Sequence, residues 1–220
     1  QPNIDIYQGV KIDDIINSNG RVIIKSKDQV FHAKMIAGSD GANSVVSRKL
    51  ANSKIERKHH MAGLRRYYKN VSGMHVDSHI ELHFYEETLP GYLWIFALPN
   101  GEANVGLGIR SDVVSKKKIN LKELLDDMIA NHPNLKDRFV NAEPLETTKG
   151  FGLPSGSKKR VISGDKFLLL GDAASLIDPF TGEGIGNAIR SGRVAADHVL
   201  DAFKQNRFDA QFNKAYDKEI

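Results

Sequence analysis

The sequence predicts a mixed fold of the α/β (α+β) class, in which an antiparallel sheet lies between two segments of another domain. Three observations support this prediction. Residues 80–85 alternate Ile, Leu and Phe with Glu, His and Tyr, which is typical of a half-buried antiparallel strand. Residues 92–97 alternate aromatic with aliphatic side chains. The short apolar run 167–170 indicates a buried strand, and the apolar spacing becomes helical from about Gly184.

The chain begins with a predicted antiparallel meander. Strand-like patterns cover 10–16, 22–25 and 30–34. Turn residues at 17–20 and 27–28 separate these patterns. We therefore expect the first part of the chain to form a small sheet.

A further apolar run leads into the segment GSDGANS (38–44), and a helical pattern follows it. On these residues alone, Asp40-Gly41 is explained as a tight turn, and Asn43 or Ser44 as the N-cap of the helix. A ligand-binding loop explains the same residues equally well.

The segment 54–150 is too long to be a loop and is therefore predicted to be a domain. After the two alternating runs, Asn100-Gly101 predicts a hairpin turn into a third strand at 103–109. Helical patterns follow at 121–130 and 135–140. Within the second run, Tyr92, Trp94 and Phe96 share one face. Alternating aromatics are usually core filling, and the alternative is the lining of an apolar binding site.

Between the last predicted strand and the long helix, Gly171-Asp172 is followed by a glycine-rich loop. Glycine allows a ligand to approach the backbone closely, and the N–H groups of a helix start favour an anionic or electron-rich ligand. An ordinary strand–loop–helix connection is the alternative.

Composition excludes several classes of protein. The chain has 220 residues, with 31 basic and 27 acidic side chains and a net charge of +4, which does not predict nucleic-acid binding. The absence of cysteine excludes thiolate metal sites, and no HExxH or comparable histidine spacing predicts a metal centre. No apolar run reaches the roughly 18 residues of a membrane span, and we expect no signal peptide because the printed sequence contains no such pattern. We therefore expect a cytoplasmic protein.

The segment GDAASLIDPFTGEGIGNA, which begins at Gly171, resembles the second FAD-binding motif of a large flavoprotein family. That family includes para-hydroxybenzoate hydroxylase and the geranylgeranyl reductases. The resemblance implies that Asp172 binds the ribityl chain of FAD, and that the helix start lies under the N1–C2=O2 edge of the flavin. The FAD contacts implied in this segment are Asp172, Pro179, Gly182, Gly184, Ile185, Gly186 and Asn187.

An earlier segment, GSDGANSVVSRKL, is similar to the fingerprint GxDGxxSxxR of the same family. The resemblance implies that Asp40 and Gly41 help to position the ribose and pyrophosphate of FAD. Arg48 falls one residue later than the usual spacing, so the motif does not define its role.

A third segment, LPGYLWIFALPNGEANVGLGI, resembles the YxWxFP…NVGxG segment of the geranylgeranyl reductase branch. Here Ala97-Leu98-Pro99 replaces a direct Phe-Pro, and Arg66-Tyr67-Tyr68 also resembles that branch. The resemblance implies that this strand forms the wall of the substrate cavity facing the flavin. Tyr92, Trp94 and Phe96 are therefore the expected substrate-binding residues.

The resemblance implies a para-hydroxybenzoate hydroxylase-like organisation. Residues 1–53 would form the C-terminal part of a Rossmann-like FAD-binding domain, 54–150 the substrate-binding antiparallel sheet, and 151–220 the return to the FAD-binding domain. The chain begins at Gln1 and contains no strand–GxGxxG–helix unit for the ADP half of FAD. We therefore expect it to be the C-terminal portion of a longer flavoprotein.

The expected activity is the reduction of C=C bonds of a polyprenyl or related lipid by hydride transfer from reduced FAD. A helix start near the flavin would contribute roughly half a positive charge. The catalytic side chains are not identified, and Tyr67, Tyr68 and His83 are the candidates for the proton donor. Glu183 is expected to complement the helix N-terminus rather than to bind a ribityl hydroxyl.

Two alternatives stay open. One is a flavin-dependent monooxygenase acting on an aromatic or polyketide-like compound, and the other is a cofactor-free lipid-binding fragment. The expected partners are a small-molecule or lipid substrate and an electron donor, for which NAD(P)H, ferredoxin and quinol are all compatible with the sequence. A lipid substrate would bring the protein to a membrane surface.

Overall fold

The computed structural model describes residues 3–220, and contacts between residues divide the chain into two units. One unit is formed by Gln1–Ile55 together with Pro154–Ile220, and the other by Glu56–Leu153. The first unit is therefore discontinuous in sequence, whereas the second is continuous.

The first three strands form the predicted meander. β1 (Ile12–Ser18), β2 (Arg21–Ser26) and β3 (Val30–Ala33) pair antiparallel in that order. β1 and β2 are joined by Asn19-Gly20, in which φ is 50° and 75°. Asn and Gly tolerate this left-handed conformation, and such two-residue turns match the twist of the flanking strands.

A small sheet joins the two sequence segments of the first unit. β4 (Ile36–Gly38) pairs parallel with β12 (Phe167–Leu169). β11 (Ser163–Gly164) pairs antiparallel with the other edge of β12. β12 is almost completely buried, which explains its uninterrupted apolar sequence.

Three helices complete the first unit: α1 (Val45–Leu50), α4 (Ile185–Gln205) and α5 (Ala210–Glu219). α4 ends at Asn206, which adopts the left-handed conformation common at helix C-termini. On α5, the buried Tyr216 donates its hydroxyl to the Leu169 carbonyl at 2.8 Å, so this helix is fastened to β12.

The second unit is built on a six-stranded sheet. Its strands are β5 (His60–Lys69), β6 (Ile80–His83), β7 (Gly91–Ala97), β8 (Glu102–Arg110), β9 (Glu143–Pro144) and β10 (Lys149–Pro154). They lie in the order β10-β5-β8-β7-β6, and β9 also pairs with β5. The helices are α2 (Ser111–Lys117) and α3 (Leu121–Asn131). The helical pattern at 135–140 becomes only a 3-10 turn, Lys136–Arg138.

The two faces of this sheet differ. Leu93 and Ile95 of β7 are fully buried, in a core to which α3 contributes Leu125 and Met128. Because side chains alternate along a strand, the aromatic residues of β7 lie on the opposite face. We call this the aromatic face; it carries the half-buried side chains of Tyr92, Trp94 and Phe96. Among the described residues, no helix is long and apolar enough to cross a membrane.

The half-buried strand predicted around 80–85 is shorter than expected. β6 covers only Ile80–His83 at the edge of the sheet, where Ile80 stays 70% exposed. Glu81 points to the face opposite the aromatic one. There Arg138 donates two hydrogen bonds to its carboxylate, at 2.6 and 2.9 Å. This bidentate pair compensates for the partial burial of the charge.

The Glu81–Arg138 pair predicts an acid-sensitive contribution to stability. The hydrogen bonds from Arg138 hold the pKa of Glu81 below its usual value of 4.5. Because the folded-state pKa is depressed, the contribution is present above the unfolded-state pKa and is lost as the pH falls through the folded-state value. A Glu81→Gln variant should lose about 1–2 kcal/mol of unfolding free energy at neutral pH. Its stability should also decline less below pH 4.5, as measured by urea unfolding.

Glu87→Gln is the matched control, since it removes an exposed carboxylate from the same segment. We expect the control to follow the wild-type acid dependence. If the unfolding free energy of the Glu81→Gln variant falls as steeply with acid as that of the wild type, the pair contributes no acid sensitivity.

Candidate functional site

The GDAA segment follows the end of β12. The residue at its start, Gly171, has a φ of +54°, and a side chain there would meet Ala188 of α4 at 3.0 Å. The Gly171 N–H donates to the buried Ser191 hydroxyl of α4 at 3.0 Å. Glycine at this position therefore allows the long helix to pack directly on the strand end.

Asp172 is half-buried, and burial raises the pKa of its carboxyl group. In the part of the chain that the structure describes, no donor to this carboxylate is found. A side chain built at Gly184 would lie 3.7 Å from Asp172 Oδ1, so the carboxylate is next to the start of α4. A desolvated acid with no internal partner is suited to accepting a hydrogen bond from a ligand hydroxyl.

The loop before α4 is closed by its own side chains. Asp178 Oδ1 accepts from the N–H groups of Phe180 and Thr181, at 3.0 and 2.7 Å, and these bonds lower the pKa of Asp178. The Asp178 N–H donates to the Glu183 carbonyl at 2.8 Å. Gly182 supports this turn with a φ of +72°. The loop is therefore held in shape without a ligand.

Glu183 accepts a hydrogen bond from one of the backbone N–H groups that are free of helix partners at the start of α4. Its carboxylate accepts from the Gly186 N–H at 2.5 Å, so Glu183 complements the helix N-terminus as expected. Asn187 donates its side-chain amide to the Leu176 carbonyl at 2.9 Å. Ile185 is 77% exposed, and Pro179 is also exposed. Pro179 and Asn187 both line a cleft of about 210 Å³.

The other motif caps α1. Asp40 Oδ2 accepts from the N–H groups of Val45 and Val46, at 2.6 and 3.2 Å, and Ser44 caps the same helix through Ser47. Gly41 has a φ of +72°, as the tight turn requires. One carboxylate oxygen of Asp40 is therefore committed to the helix.

The structure brings these two motifs to one sheet edge. Leu169 of β12 is the parallel partner of Gly38 in β4, and the Leu170 N–H donates to the Gly38 carbonyl at 2.9 Å. Asp40 and Asp172 therefore follow the carboxyl ends of neighbouring parallel strands. Ligands of open α/β sheets bind outside such strand ends. An acid for which the described residues offer no donor, an exposed helix start and a glycine-rich backbone are compatible with FAD at this edge.

The aromatic face belongs to the second unit. Four rings form a row: Phe84 to Tyr92 at 5.6 Å, Tyr92 to Trp94 at 6.1 Å and Trp94 to Phe96 at 6.0 Å between centroids. The Trp94 indole donates to Asn104 Oδ1 at 3.0 Å, which fixes its orientation. Sequence reasoning missed Asn104, because its role depends on a cross-strand partner.

The three proton-donor candidates lie on different faces of this sheet. Tyr68 is only 4% exposed, within the core of the helix-packed face. His83 bonds to Glu81 and Tyr85, which places it on that same face. Only Tyr67 shares the aromatic face, because it pairs with Asn104 across β5 and β8. The sequence could not distinguish the three, since the register of β5 is set by its neighbours.

Comparison with solved structures shows which class of proteins shares this fold. A geranylgeranyl bacteriochlorophyll reductase-like protein from Thermoplasma acidophilum superposes with a TM-score of 0.78 and 31% identity, covering 93% of this chain and 51% of the other. The flavin-dependent brominase Bmp2 superposes with a TM-score of 0.77 at 20% identity, over 96% of this chain and 55% of its own. The fold is that of the para-hydroxybenzoate hydroxylase-like flavoproteins, as predicted.

Sequence comparison shows which branch of these flavoproteins the chain resembles. Residues 64–150 match the family model of the geranylgeranyl reductase catalytic domain. A digeranylgeranylglycerophospholipid reductase from Thermoplasma acidophilum is 33% identical over 94% of this chain and 52% of its own length. A menaquinone reductase from Mycolicibacterium smegmatis is 30% identical over 86% of the chain and 47% of its own length. The chain is therefore similar in sequence to the geranylgeranyl reductases, as its motifs predicted, and it spans about half the length of these curated relatives.

Proposed function

We propose that this chain is part of an FAD-dependent reductase that saturates C=C bonds of a polyprenyl-type lipid. The observation that supports this proposal most strongly is the aromatic face of the second unit. Its four rings lie in a row at spacings near 6 Å, within the segment that matches the reductase catalytic domain. A polyprenyl chain offers alkenes and methyl groups but few hydrogen-bonding groups, so an elongated wall of rings suits it. Tyr92, Trp94 and Phe96 are the substrate contacts in this proposal.

FAD, when bound and reduced, supplies a hydride equivalent to the alkene carbon. In this proposal Asp172 accepts a hydrogen bond from the ribityl chain, and the backbone at Gly184, Ile185 and Gly186 lies against the flavin ring. Asp40, with Gly41, positions the ribose and pyrophosphate through its remaining carboxylate oxygen. Pro179, Gly182 and Asn187 also contact FAD in this proposal, and Gly182 and Asn187 in addition shape the loop and the helix start.

Reduction of an alkene also needs a proton, and Tyr67 is the candidate that the geometry favours. It is the one of the three proposed donors on the aromatic face, and the Arg65 guanidinium lies 4.3 Å from its ring centroid. The guanidinium packs on the ring and so helps to fix the orientation of the phenol on this face. The electrons come from a separate donor, NAD(P)H or ferredoxin, and the lipid brings the cytoplasmic protein to a membrane surface.

The proposal is tested with flavin absorption and with the fluorescence of Trp94, the single tryptophan of the chain. FAD is added to the purified chain and to a version extended upstream, reduced anaerobically, and mixed with a geranylgeranyl glycerol ether. We expect the flavin bands to recover and the lipid to gain one H₂ for each bond saturated. We also expect the lipid to shift the Trp94 emission to shorter wavelength.

Other outcomes would point elsewhere. Flavin that recovers only with oxygen and an aromatic compound would favour the monooxygenase. A Trp94 shift in a chain that takes up no flavin in either version would favour the lipid-binding fragment and overturn the proposal. A Tyr67→Phe variant should retain the Trp94 emission shift, because the ring is unchanged. It should slow the recovery of the flavin bands, because the hydroxyl that would donate the proton is removed.

A further inference from the structure

The loop between β5 and β6 carries three side chains that the flavin and lipid proposals do not use. His75, Val76, Asp77 and Ser78 form a turn, in which the Ser78 N–H donates to the His75 carbonyl at 2.9 Å. Ser78 adopts a φ of 53°, which reverses the chain. The reversal places the His79 ring on the His75 ring, with centroids 3.8 Å apart and planes 6° from parallel.

The carboxylate of Asp77 lies beside both imidazoles. Its Oδ2 is 3.6 Å from His75 Nδ1 and 4.0 Å from His79 Nε2. One ligand atom from each of the three residues lies within 4.8 Å of the others. In a tetrahedral zinc site with bonds of about 2.0–2.1 Å, ligand atoms are ~3.3 Å apart. The three groups are therefore slightly more open than a metal-bound set.

The sequence analysis did not predict a metal centre from histidine spacing, but the structure brings together two histidines that lie four residues apart and the acid between them. We infer that His75, Asp77 and His79 form a surface site for a divalent transition-metal cation. Two imidazole nitrogens and one carboxylate oxygen are ligands that Zn²⁺, Cu²⁺ and Ni²⁺ accept, whereas Mg²⁺ and Ca²⁺ favour oxygen-only sets. Three protein ligands leave the fourth position of a tetrahedral ion to water. The flavin chemistry does not require this ion, so the inference is independent of the proposed function.

Closing the site requires only local rotation. The two rings are stacked with their planes 6° from parallel, so at least one imidazole has to turn about its χ angles before both can bind one ion. The side chains of His75, Asp77 and His79 are 48%, 73% and 61% exposed, and rotation at such positions disturbs no core packing. The Asp77 N–H, which now donates to His75 Nδ1 at 3.1 Å, is released to water when this nitrogen becomes a ligand.

The base of the loop is already anchored. Arg138 donates to the Ser72 carbonyl at 2.9 Å and to the Gly73 carbonyl at 3.1 Å. The chain that enters the site is therefore fixed before an ion binds, which lowers the entropy lost on closure. Val76, within the turn, is 91% exposed.

The test is titration of the chain with ZnCl₂ by isothermal calorimetry, and with CoCl₂ by visible absorption. We expect one equivalent of Zn²⁺, and Co²⁺ bands of the intensity typical of tetrahedral coordination. A His75→Ala/His79→Ala double variant should lose both signals, and Asp77→Asn should weaken them. His32→Ala is the matched control, since it removes another exposed histidine and should bind like the wild type.

The variants change exposed loop residues, and far-ultraviolet circular dichroism shows whether they fold. Zn²⁺ should also raise the melting temperature of the wild type and not that of the double variant, because an ion that binds the folded state stabilises it. The absence of wild-type binding, or equal binding by the folded double variant, would overturn the inference.

Discussion

An Asp172→Asn variant should unfold at a higher temperature than the wild type while binding FAD more weakly. Both effects have one cause. Burial raises the pKa of Asp172, and no described residue donates to its carboxylate, so the charged form costs free energy in the fold. The isosteric amide removes this cost. It also removes a charged acceptor, which is worth about 1.5–3 kcal/mol, or roughly 10- to 100-fold in FAD affinity.

The pH dependence follows from the direction of the shift. For an acid whose folded-state pKa is raised, ionisation favours the unfolded state. Wild-type stability should therefore fall as the pH rises from the unfolded-state value of 3.8 through the raised value, and Asp172→Asn should lack this fall. Melting temperatures measured across this range, together with FAD titration by flavin fluorescence, separate the two effects.

Asp201→Asn provides the control for Asp172. Asp201 is an exposed acid of α4 that pairs with Lys204 at the surface. We expect this control to leave both the FAD affinity and the melting temperature nearly unchanged. If Asp172→Asn instead destabilises the chain or retains full FAD affinity, Asp172 is a structural acid and its assignment to the flavin site is wrong.

A Gly106→Ala substitution should destabilise the second unit severely. A methyl group at Gly106 would lie 2.3 Å from the Leu64 carbonyl oxygen and 2.3 Å from the Trp94 indole. The carbonyl belongs to the neighbouring strand and cannot move away without breaking the sheet. The indole is held by its hydrogen bond to Asn104. We expect a loss of about 3 kcal/mol or more in the free energy of unfolding.

Gly108→Ala is a closely matched comparison. Gly108 lies two residues further along β8 on the same face, but a methyl group there would meet Trp94 only at 3.8 Å. This substitution should therefore change stability by less than about 1 kcal/mol. Urea unfolding followed by the fluorescence of Trp94 measures both variants. Equal stabilities would mean that the indole does not lie against Gly106 in solution.

The sequence predicted best those features whose cause is local. Asn19-Gly20 requires a turn, Ser44 is a helix N-cap, and the glycine at 184 begins the long helix. The flavoprotein motifs were equally accessible, because each is a short run of residues at the end of a strand. Their meeting at one sheet edge follows from the parallel pairing of β4 with β12.

Features with distant causes could not be predicted. The ten residues of β5 do not alternate polar with apolar side chains, so their pattern did not predict a strand. Within the strand, Arg66 is accommodated by hydrogen bonding to Thr148 at 2.8 Å and by an ion pair with Asp126 at 2.9 Å. Glu81 is stabilised on its face by Arg138, which lies far along the chain. The His75–His79 stack depends on a left-handed Ser78, and serine gives no signal for that conformation.

The interrupted sequence of the first unit has a consequence for the order of folding during synthesis. β4 emerges from the ribosome long before its partner β12, because the whole of Glu56–Leu153 is made between them. The second unit has all of its strands in one continuous segment, so its contacts can form while translation continues. Loop closure over such a separation is slow. We therefore expect the edge that carries both acidic motifs to assemble last, after the second unit has folded.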